Sequence, residues 1–371
     1  MGYVAVKGGT KAIDASIERL TFERLKNQEI IEIETIMATM KSLIDQIMSE
    51  SSLYSPYLAA LAIKQAEGSM EEAVFLMRAH RSTLPRLYYS QAVESETMLV
   101  ERRISASFKD IPGGQILGAT KDYTHRLLDF ELLEEDPAEN EAWLSNYQKA
   151  SEAVKASDEL EFFPKVVDYL REEGLFENYE RDNTDPVDIT KQSIAFPASR
   201  SARLQVLTRG QTGAVTALGY ASLRGYGQVH PTVGEVRVGS LPIYVAHPNE
   251  GEQNEEDAFY IGEIQVTEVE SFVPVTKKND ANEQELEFEI GYGICYGQNE
   301  TKAIAMSILD QCLEHPESSF PTHDEEFVLL HIDSVEATGF ISHLKLPHYV
   351  TFQSKLDSIR NVKKGGHTDE N

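Results

Sequence analysis

Apolar residues recur at every third or fourth position through residues 30–89, the spacing expected of helices that bury one face. Met40, Leu43, Ile44 and Ile47 give the clearest example of this spacing. The first part of the chain is therefore predicted to be helical.

The pattern changes after about residue 194, where apolar and polar residues partly alternate, as they do along antiparallel strands. The predicted strands are residues 233–245, 259–269, 288–296 and 327–331. Asn299 is the predicted N-cap of a helix that runs to about Leu313. The predicted fold class is α+β, with a helical N-terminal region followed by a mixed, largely antiparallel α+β region.

A chain of 371 residues is long for a single hydrophobic core, so two or three packed regions are expected. Residues 134–190 are acidic and irregular around one predicted helix, 160–172, and are interpreted as a variable segment. The predicted division is 1–133, mainly helical with a basic Gly-Gly segment; 134–190, acidic; and 191–371, α+β with an arginine-glycine segment and a C-terminal histidine motif.

The formal net charge of -27 argues against nucleic-acid binding, which needs a basic surface. No apolar run approaches the roughly 20 residues that span a bilayer, and no secretory signal is recognised, so no membrane contact is predicted. Two cysteines, Cys295 and Cys312, fit a reducing cytoplasm and are too few to hold an iron–sulfur cluster on this chain. Any radical chemistry that depends on such a cluster would have to come from a partner protein.

A first candidate anion site combines basic residues with a glycine turn, in Arg102, Arg103, Lys109, Gly113 and Gly114. Paired arginines can grip phosphate oxygens bidentately, and a Gly-Gly turn lets backbone N–H groups approach an anion. The competing interpretation is a strand with an exposed basic face and an ordinary turn.

A second candidate site lies further along the chain, where arginines, a histidine and a glutamate gather around glycines. Its residues are Arg200, Arg203, Arg224, His230, Glu235 and Arg237. A nucleoside triphosphate needs cations for its phosphates and a carboxylate or amide for the sugar and base. A glycine-rich turn with solvent-facing arginines is the competing interpretation.

The C-terminal motif Ser-His-Leu-Lys-Leu-Pro-His places His343 and His348 on one loop beside Pro347. Imidazole is a common zinc ligand, but four ligands are usual, so one chain would supply a partial site. Hydrogen bonding of both histidines within a turn is the alternative.

Several long stretches together resemble the family of I subunits of carbon–phosphorus lyase. They are YVAVKGG near the start, ERRISA from residue 101, KDIPGG from 109, DYTHRLLDF from 122 and GFISHLKLPHYV near the end. They follow the family's order and cover both ends of the chain.

This resemblance implies a role in phosphonate breakdown with the G, H, J and L subunits. Family members join a phosphonate such as methylphosphonate to C1′ of ATP, release adenine and form ribose 1-phosphonate 5-triphosphate. Alone, the I subunit resembles a purine nucleotide nucleosidase. The J subunit carries the iron–sulfur cluster, and the family motif that matches His343 and His348 binds zinc at the I–J interface. Mg²⁺ is expected to accompany ATP.

Displacement at C1′ passes through an oxocarbenium-like state, which favours cations for the anionic groups, a carboxylate near the sugar and an acid for adenine. Glu235 is the predicted carboxylate and His230 the predicted acid. Two other functions remain open: a non-catalytic scaffold, and a stand-alone metallohydrolase that uses His331, Asp333, His343 and His348.

Overall fold

A computed structural model describes residues 8–152, 163–176, 184–227, 230–246, 258–278, 284–346 and 348–365. Its described residues confirm the α+β prediction, with thirteen α-helices and one antiparallel sheet of four strands. Within these ranges, no helix has the length and apolar character needed to cross a membrane.

The helices are α1 Gly9–Leu25, α2 Ile33–Thr39, α3 Lys41–Ser51, α4 Pro56–Gln65, α5 Met70–Thr83, α6 Pro137–Glu152, α7 Val166–Glu172, α8 Arg200–Arg209, α9 Thr212–Ala221, α10 Glu300–Leu313, α11 Glu325–His331, α12 Ser334–Ser342 and α13 Tyr349–Gly365. The strands are β1 Leu99–Ile104, β2 Thr232–Val245, β3 Phe259–Lys278 and β4 Gln284–Tyr296.

The chain divides into two compact units whose segments interleave along the sequence. The first unit contains Met1–Pro85, Pro186–Gly227 and His315–Asn371, and the second contains Arg86–Asp185 and Gln228–Glu314. These units do not follow the three consecutive regions drawn from composition.

The first unit is helical, as the three- and four-residue spacing predicts. Ile44, Ile47 and Met48 on α3 are buried, and α3 packs against α4 and α5. The Ser55 side chain caps α4 by accepting the Leu58 N–H, and Pro56 occupies its first turn.

The second unit is built on the sheet, whose strands lie in the order β1-β2-β3-β4 with every neighbour antiparallel. The strands predicted at 233–245, 259–269 and 288–296 are confirmed, although β3 is longer than predicted. Helix α10 packs closely on one face, because Gly293 has no side chain: a Cβ there would lie 2.1 Å from the Ala303 carbonyl oxygen.

The strand predicted at residues 327–331 is wrong, because this segment forms the end of α11. The Asp324 carboxylate accepts the Phe327 N–H and so caps the helix, and Glu325 and Glu326 add acidic charge to its first turn. A short apolar run cannot by itself distinguish a buried strand from a helix.

Candidate functional site

Arg103 and Glu235, both predicted to act at a substrate site, form an ion pair buried on one face of the sheet. The Arg103 Nε donates to Glu235 Oε1, and its Nη1 and Nη2 donate to the carbonyls of Pro112 (2.5 Å) and Pro164 (2.9 Å). Glu235 Oε2 accepts the Val166 N–H at 3.0 Å. All these groups have protein partners. Arg103 therefore does not lie on an exposed basic face, and its guanidinium is not open to an anion.

Arg237 and Arg102 are buried beside carboxylates as well. The Arg237 Nε donates to Glu268 Oε2 at 3.1 Å, and Arg102 Nε donates to Glu300 at 3.0 Å. Arg102 Nη2 also donates to Asp122 at 2.5 Å. Binding of a substrate anion by these arginines stays a prediction, and it requires the ion pairs to open.

The structure adds charged residues that sequence reasoning missed. Lys165 Nζ lies 3.1 Å from Glu268 Oε1 and 2.6 Å from Glu270 Oε1, and the Tyr292 hydroxyl donates to Glu268 at 2.9 Å. We call this set the buried charge cluster: Arg103, Lys165, Glu235, Arg237, Glu268, Glu270 and Tyr292. One signal was available in the sequence: Glu268 and Glu270 occupy alternate positions of the largely apolar strand β3.

The cluster separates the pKa values of its two neighbouring glutamates. Burial raises the pKa of Glu270 to about 7, against the opposing effect of Lys165. Burial also disfavours the Glu268 carboxylate, but Arg237 and Lys165 outweigh it and hold the pKa of Glu268 at about 2. Glu270 Oε2 is buried with no hydrogen-bond partner in the described part of the chain. Glu270 can therefore hold a proton near neutral pH, the range suited to a general acid.

The cluster is expected to give protein stability two opposite pH dependences. The lowered pKa of Glu268 contributes stability that is present above about 4.5 and lost as pH falls toward about 2. The raised pKa of Glu270 contributes stability that is present below about 4.5 and lost as pH rises toward about 7. Each contribution is at most about 3 kcal/mol.

The test is urea unfolding of Glu270→Gln across this pH range, with Glu263→Gln, an exposed position on the same strand, as control. The loss of stability between pH 4.5 and about 7 should disappear in Glu270→Gln and persist in the control. An unchanged slope in Glu270→Gln would contradict the assignment.

The predicted acid and the other predicted anion-binding residues of the second unit are more accessible. In the second unit, Lys109 and His230 are exposed, and Gly113 and Gly114 form a turn with φ of 80° and 74°. A Cβ on Gly113 would lie 2.0 Å from the Phe163 ring, so this glycine allows close packing of the ring as well as the turn.

The remaining predicted arginines belong to the first unit. Arg200 and Arg203 begin α8, and the half-buried Arg203 donates to the Ala198 carbonyl at 3.1 Å. Arg224 is exposed, 5.9 Å from the Tyr220 ring centroid, in a π-helical turn that follows α9. The predicted residues thus fall in two units, and the contacts within the second unit join Arg103 to Glu235 in the cluster that also holds Arg237.

His343 and His348 lie close together on the surface of the first unit. Their ring centroids are 5.6 Å apart; His343 is half-buried and His348 is exposed. The His343 Nδ1–H donates to the Phe340 carbonyl, and the His348 Nδ1–H donates to the Leu346 carbonyl at 2.6 Å. These hydrogen bonds leave each Nε2 as the ring nitrogen able to bind a metal, the arrangement common for metal-ligating histidines. Pro347 lies outside the described residues.

Asp333 is engaged differently from a metal ligand. Its carboxylate accepts both Arg78 Nη1 contacts, at 2.8 and 2.7 Å, and caps α12 through the N–H groups of Val335 and Glu336. Burial opposes this charge, but Arg78 lowers the pKa of Asp333 below its ordinary value. Within the described ranges, no group of three or more His, Cys, Asp or Glu residues is placed to hold a metal ion.

A family model described as bacterial phosphonate metabolism protein (PhnI) matches residues 2–366. The chain belongs to the PhnI family.

A putative C-P lyase subunit protein, HtxH of Stutzerimonas stutzeri, is 44% identical over 98% of this chain and 96% of its own length. Two proteins named alpha-D-ribose 1-methylphosphonate 5-triphosphate synthase subunit PhnI are also similar. The Rhizobium meliloti (strain 1021) protein is 42% identical over 98% of this chain and 95% of its own length. The Escherichia coli (strain K12) protein is 41% identical over 98% of each. The resemblance drawn from the motifs is confirmed, and PhnI membership assigns the chain to phosphonate metabolism.

Proposed function

We propose that this chain is the catalytic subunit of a cytoplasmic enzyme that transfers the ribose 5-triphosphate of ATP to a phosphonate. The observation that carries this proposal is the near-full-length similarity, 41% and 42% identity, to two proteins named as subunits of alpha-D-ribose 1-methylphosphonate 5-triphosphate synthase. Methylphosphonate is the proposed acceptor. The proposed partners are the G, H and J subunits of a carbon–phosphorus lyase core, and the L subunit.

In the proposed reaction, a phosphonate oxygen forms a bond to C1′ of the ribose while the bond from C1′ to adenine breaks. Adenine leaves with the bonding electron pair and takes up one proton, and the triphosphate stays on the ribose. Positive charge develops at the sugar, so a nearby carboxylate and an acid for adenine lower the barrier. His230 is exposed and remains the proposed acid. Glu235 remains the proposed carboxylate, and that role requires its ion pair with Arg103 to open.

The anionic groups of both substrates need cations. Within the second unit, exposure favours Lys109 as the residue that reaches an anionic group from solvent, since Arg103 and Arg237 are already paired in the buried charge cluster. Arg200 and Arg224, which are exposed on the first unit, remain proposed anion-binding residues. Mg²⁺ is proposed to accompany ATP, and no residue is assigned to it. Cys295 and Cys312 are both buried, and we assign no iron–sulfur cluster to this chain.

His343 and His348 are proposed to hold zinc together with ligands from the J subunit. The donor set fits half of such a site, because two neighbouring imidazoles, one half-buried and one exposed, each keep Nε2 available while Nδ1 is hydrogen bonded. Zinc bound there would supply a cationic bridge between the two chains.

His343→Ala and His348→Ala are each expected to remove most zinc from the complex with the J subunit, because losing one ligand of a site that usually has four weakens metal binding. The measurement is zinc content of the purified complex by mass spectrometry, with the exposed His80→Ala as a matched control. Full zinc content in both histidine variants would contradict this site.

The function is tested by incubating the purified chain with ATP and Mg²⁺ and following free adenine by chromatography. Adenine release by the chain alone supports a catalytic subunit. The G, H and L subunits are then expected to increase this release or to direct the ribose 5-triphosphate to methylphosphonate. The scaffold alternative expects no adenine from the chain alone, together with firm association of the chain with the other subunits.

A further inference from the structure

Residues 121–151, which we call the acidic arm, have no role in the function proposed above. Every residue of the arm is exposed except Ser145, which is half-buried. The arm contains the DYTHRLLDF motif, then a short 3-10 helix, Phe130–Leu133, and then most of α6. It therefore contributes little to the hydrophobic core of its own unit.

Large apolar side chains crowd the first half of the arm. Six of them are 63% to 84% exposed: Tyr123, Leu127, Leu128, Phe130, Leu132 and Leu133. At about 100 Å² each they present on the order of 600 Å² of apolar surface, the upper end for a monomer and approaching the roughly 800 Å² that one partner contributes to a standard interface. A surface of this size indicates an interaction site.

The second half of the arm adds an aromatic pair. The rings of Trp143 and Tyr147, one helical turn apart on α6, stack with centroids 5.4 Å apart and planes at 11°. Both are more than half exposed. Tryptophan and tyrosine are enriched among the residues that dominate binding energy at interfaces.

The start of the arm is fixed to the sheet of its unit. Asp122 pairs with the buried Arg102 at 2.5 Å, and Arg126 Nε donates to the Lys121 carbonyl at 3.0 Å. The Asp129 side chain accepts the Glu131 N–H at 3.1 Å and begins the 3-10 helix. The arm is thus held in a defined conformation at its base, unlike a flexible linker.

Charge identifies the kind of partner. The arm carries eight acidic and three basic residues, a net charge of 3 − 8 = −5, within a chain of net charge -27. A second copy would bring the same negative charge to the interface, and like charges facing each other oppose association. We propose that the acidic arm docks into an apolar groove, rimmed by lysine and arginine, on a different protein chain.

This inference rests on the proposed function for its probes, the purified G, H and J subunits. Trp143 is the single tryptophan of the chain, so fluorine-labelled tryptophan gives one NMR signal that reports the environment of the arm. Titration with one of the three subunits is expected to shift this signal, and the affinity is expected to fall with added salt. Leu127→Ser with Leu128→Ser is expected to weaken that binding at least tenfold.

Leu87→Ser is the control, because Leu87 is exposed to a similar degree, 73%, and lies outside the arm. All three leucines are exposed, so these substitutions should leave folding intact. A signal unmoved by every subunit, a shift that depends only on the concentration of this chain, or equal affinity of the double variant and the control would each overturn the proposal. Adenine release is measured separately, so a failed docking surface is distinguishable from a failed function.

Discussion

Glu235→Gln is expected to lower the free energy of unfolding by about 3–5 kcal/mol. The substitution preserves shape but leaves the Arg103 guanidinium, which is almost fully buried, without its balancing carboxylate. Urea unfolding measures the effect, and Glu263→Gln on an exposed position of β3 should change stability by no more than about 0.5 kcal/mol.

A double variant, Arg103→Met with Glu235→Leu, separates loss of a buried charge from loss of packing. Replacing both partners of a buried pair with apolar side chains is often close to neutral. The double variant should therefore recover part of the stability that Glu235→Gln loses, despite the lost hydrogen bonds to Pro112, Pro164 and Val166. Unchanged stability of Glu235→Gln would contradict the structural account of the pair.

The same variant tests the proposed chemistry. If Glu235 also stabilises positive charge at the sugar, turnover per folded molecule of Glu235→Gln should fall by about 100-fold or more. Undiminished turnover per folded molecule would remove Glu235 from the mechanism and leave it a role in the buried charge cluster only.

Asp333→Asn is expected to lower the free energy of unfolding by about 3 kcal/mol without changing zinc content. Arg78 is buried and receives its carboxylate partner from Asp333, so the amide would leave that guanidinium uncompensated. Asparagine remains a good N-cap, so the cap of α12 should persist. The measurements are urea unfolding and the zinc content of the complex with the J subunit.

Asp324→Asn is the matched control, because Asp324 caps the neighbouring helix α11 in the same way. Its stability should change by no more than about 0.5 kcal/mol, since asparagine and aspartate are similar N-caps. Loss of zinc in Asp333→Asn, with stability unchanged, would instead make Asp333 a metal ligand and contradict its role in the Arg78 ion pair.

The elements that sequence reasoning predicted correctly have local causes. Apolar spacing of three and four residues defines α3, and alternation defines β2 and β4, whose pattern is visible without any knowledge of tertiary contacts. The error at α11 has a local cause too, because a four-residue apolar run fits either a strand or a helix.

The state of the candidate site depended on contacts that sequence spacing does not reveal. Lys165 reaches Glu268 across 103 positions of the chain, and Arg103 reaches Glu235 across 132. Arginines beside glycines favour anion binding when they are exposed. Here the antiparallel register places Arg103 opposite Arg237, and Arg237 opposite Glu268 on the next strand. Burial and pairing of these groups are properties of the assembled sheet.

The most direct test of the proposed function follows both products of one reaction. The complex with the G, H and L subunits is incubated with ATP, Mg²⁺ and methylphosphonate, phosphorus NMR follows the phosphonate, and chromatography follows adenine. Transfer at C1′ predicts one adenine for each methylphosphonate consumed, and a new phosphonate ester that retains an intact triphosphate. Release of ADP or inorganic phosphate without adenine, or adenine with unaltered methylphosphonate, would contradict transfer at C1′.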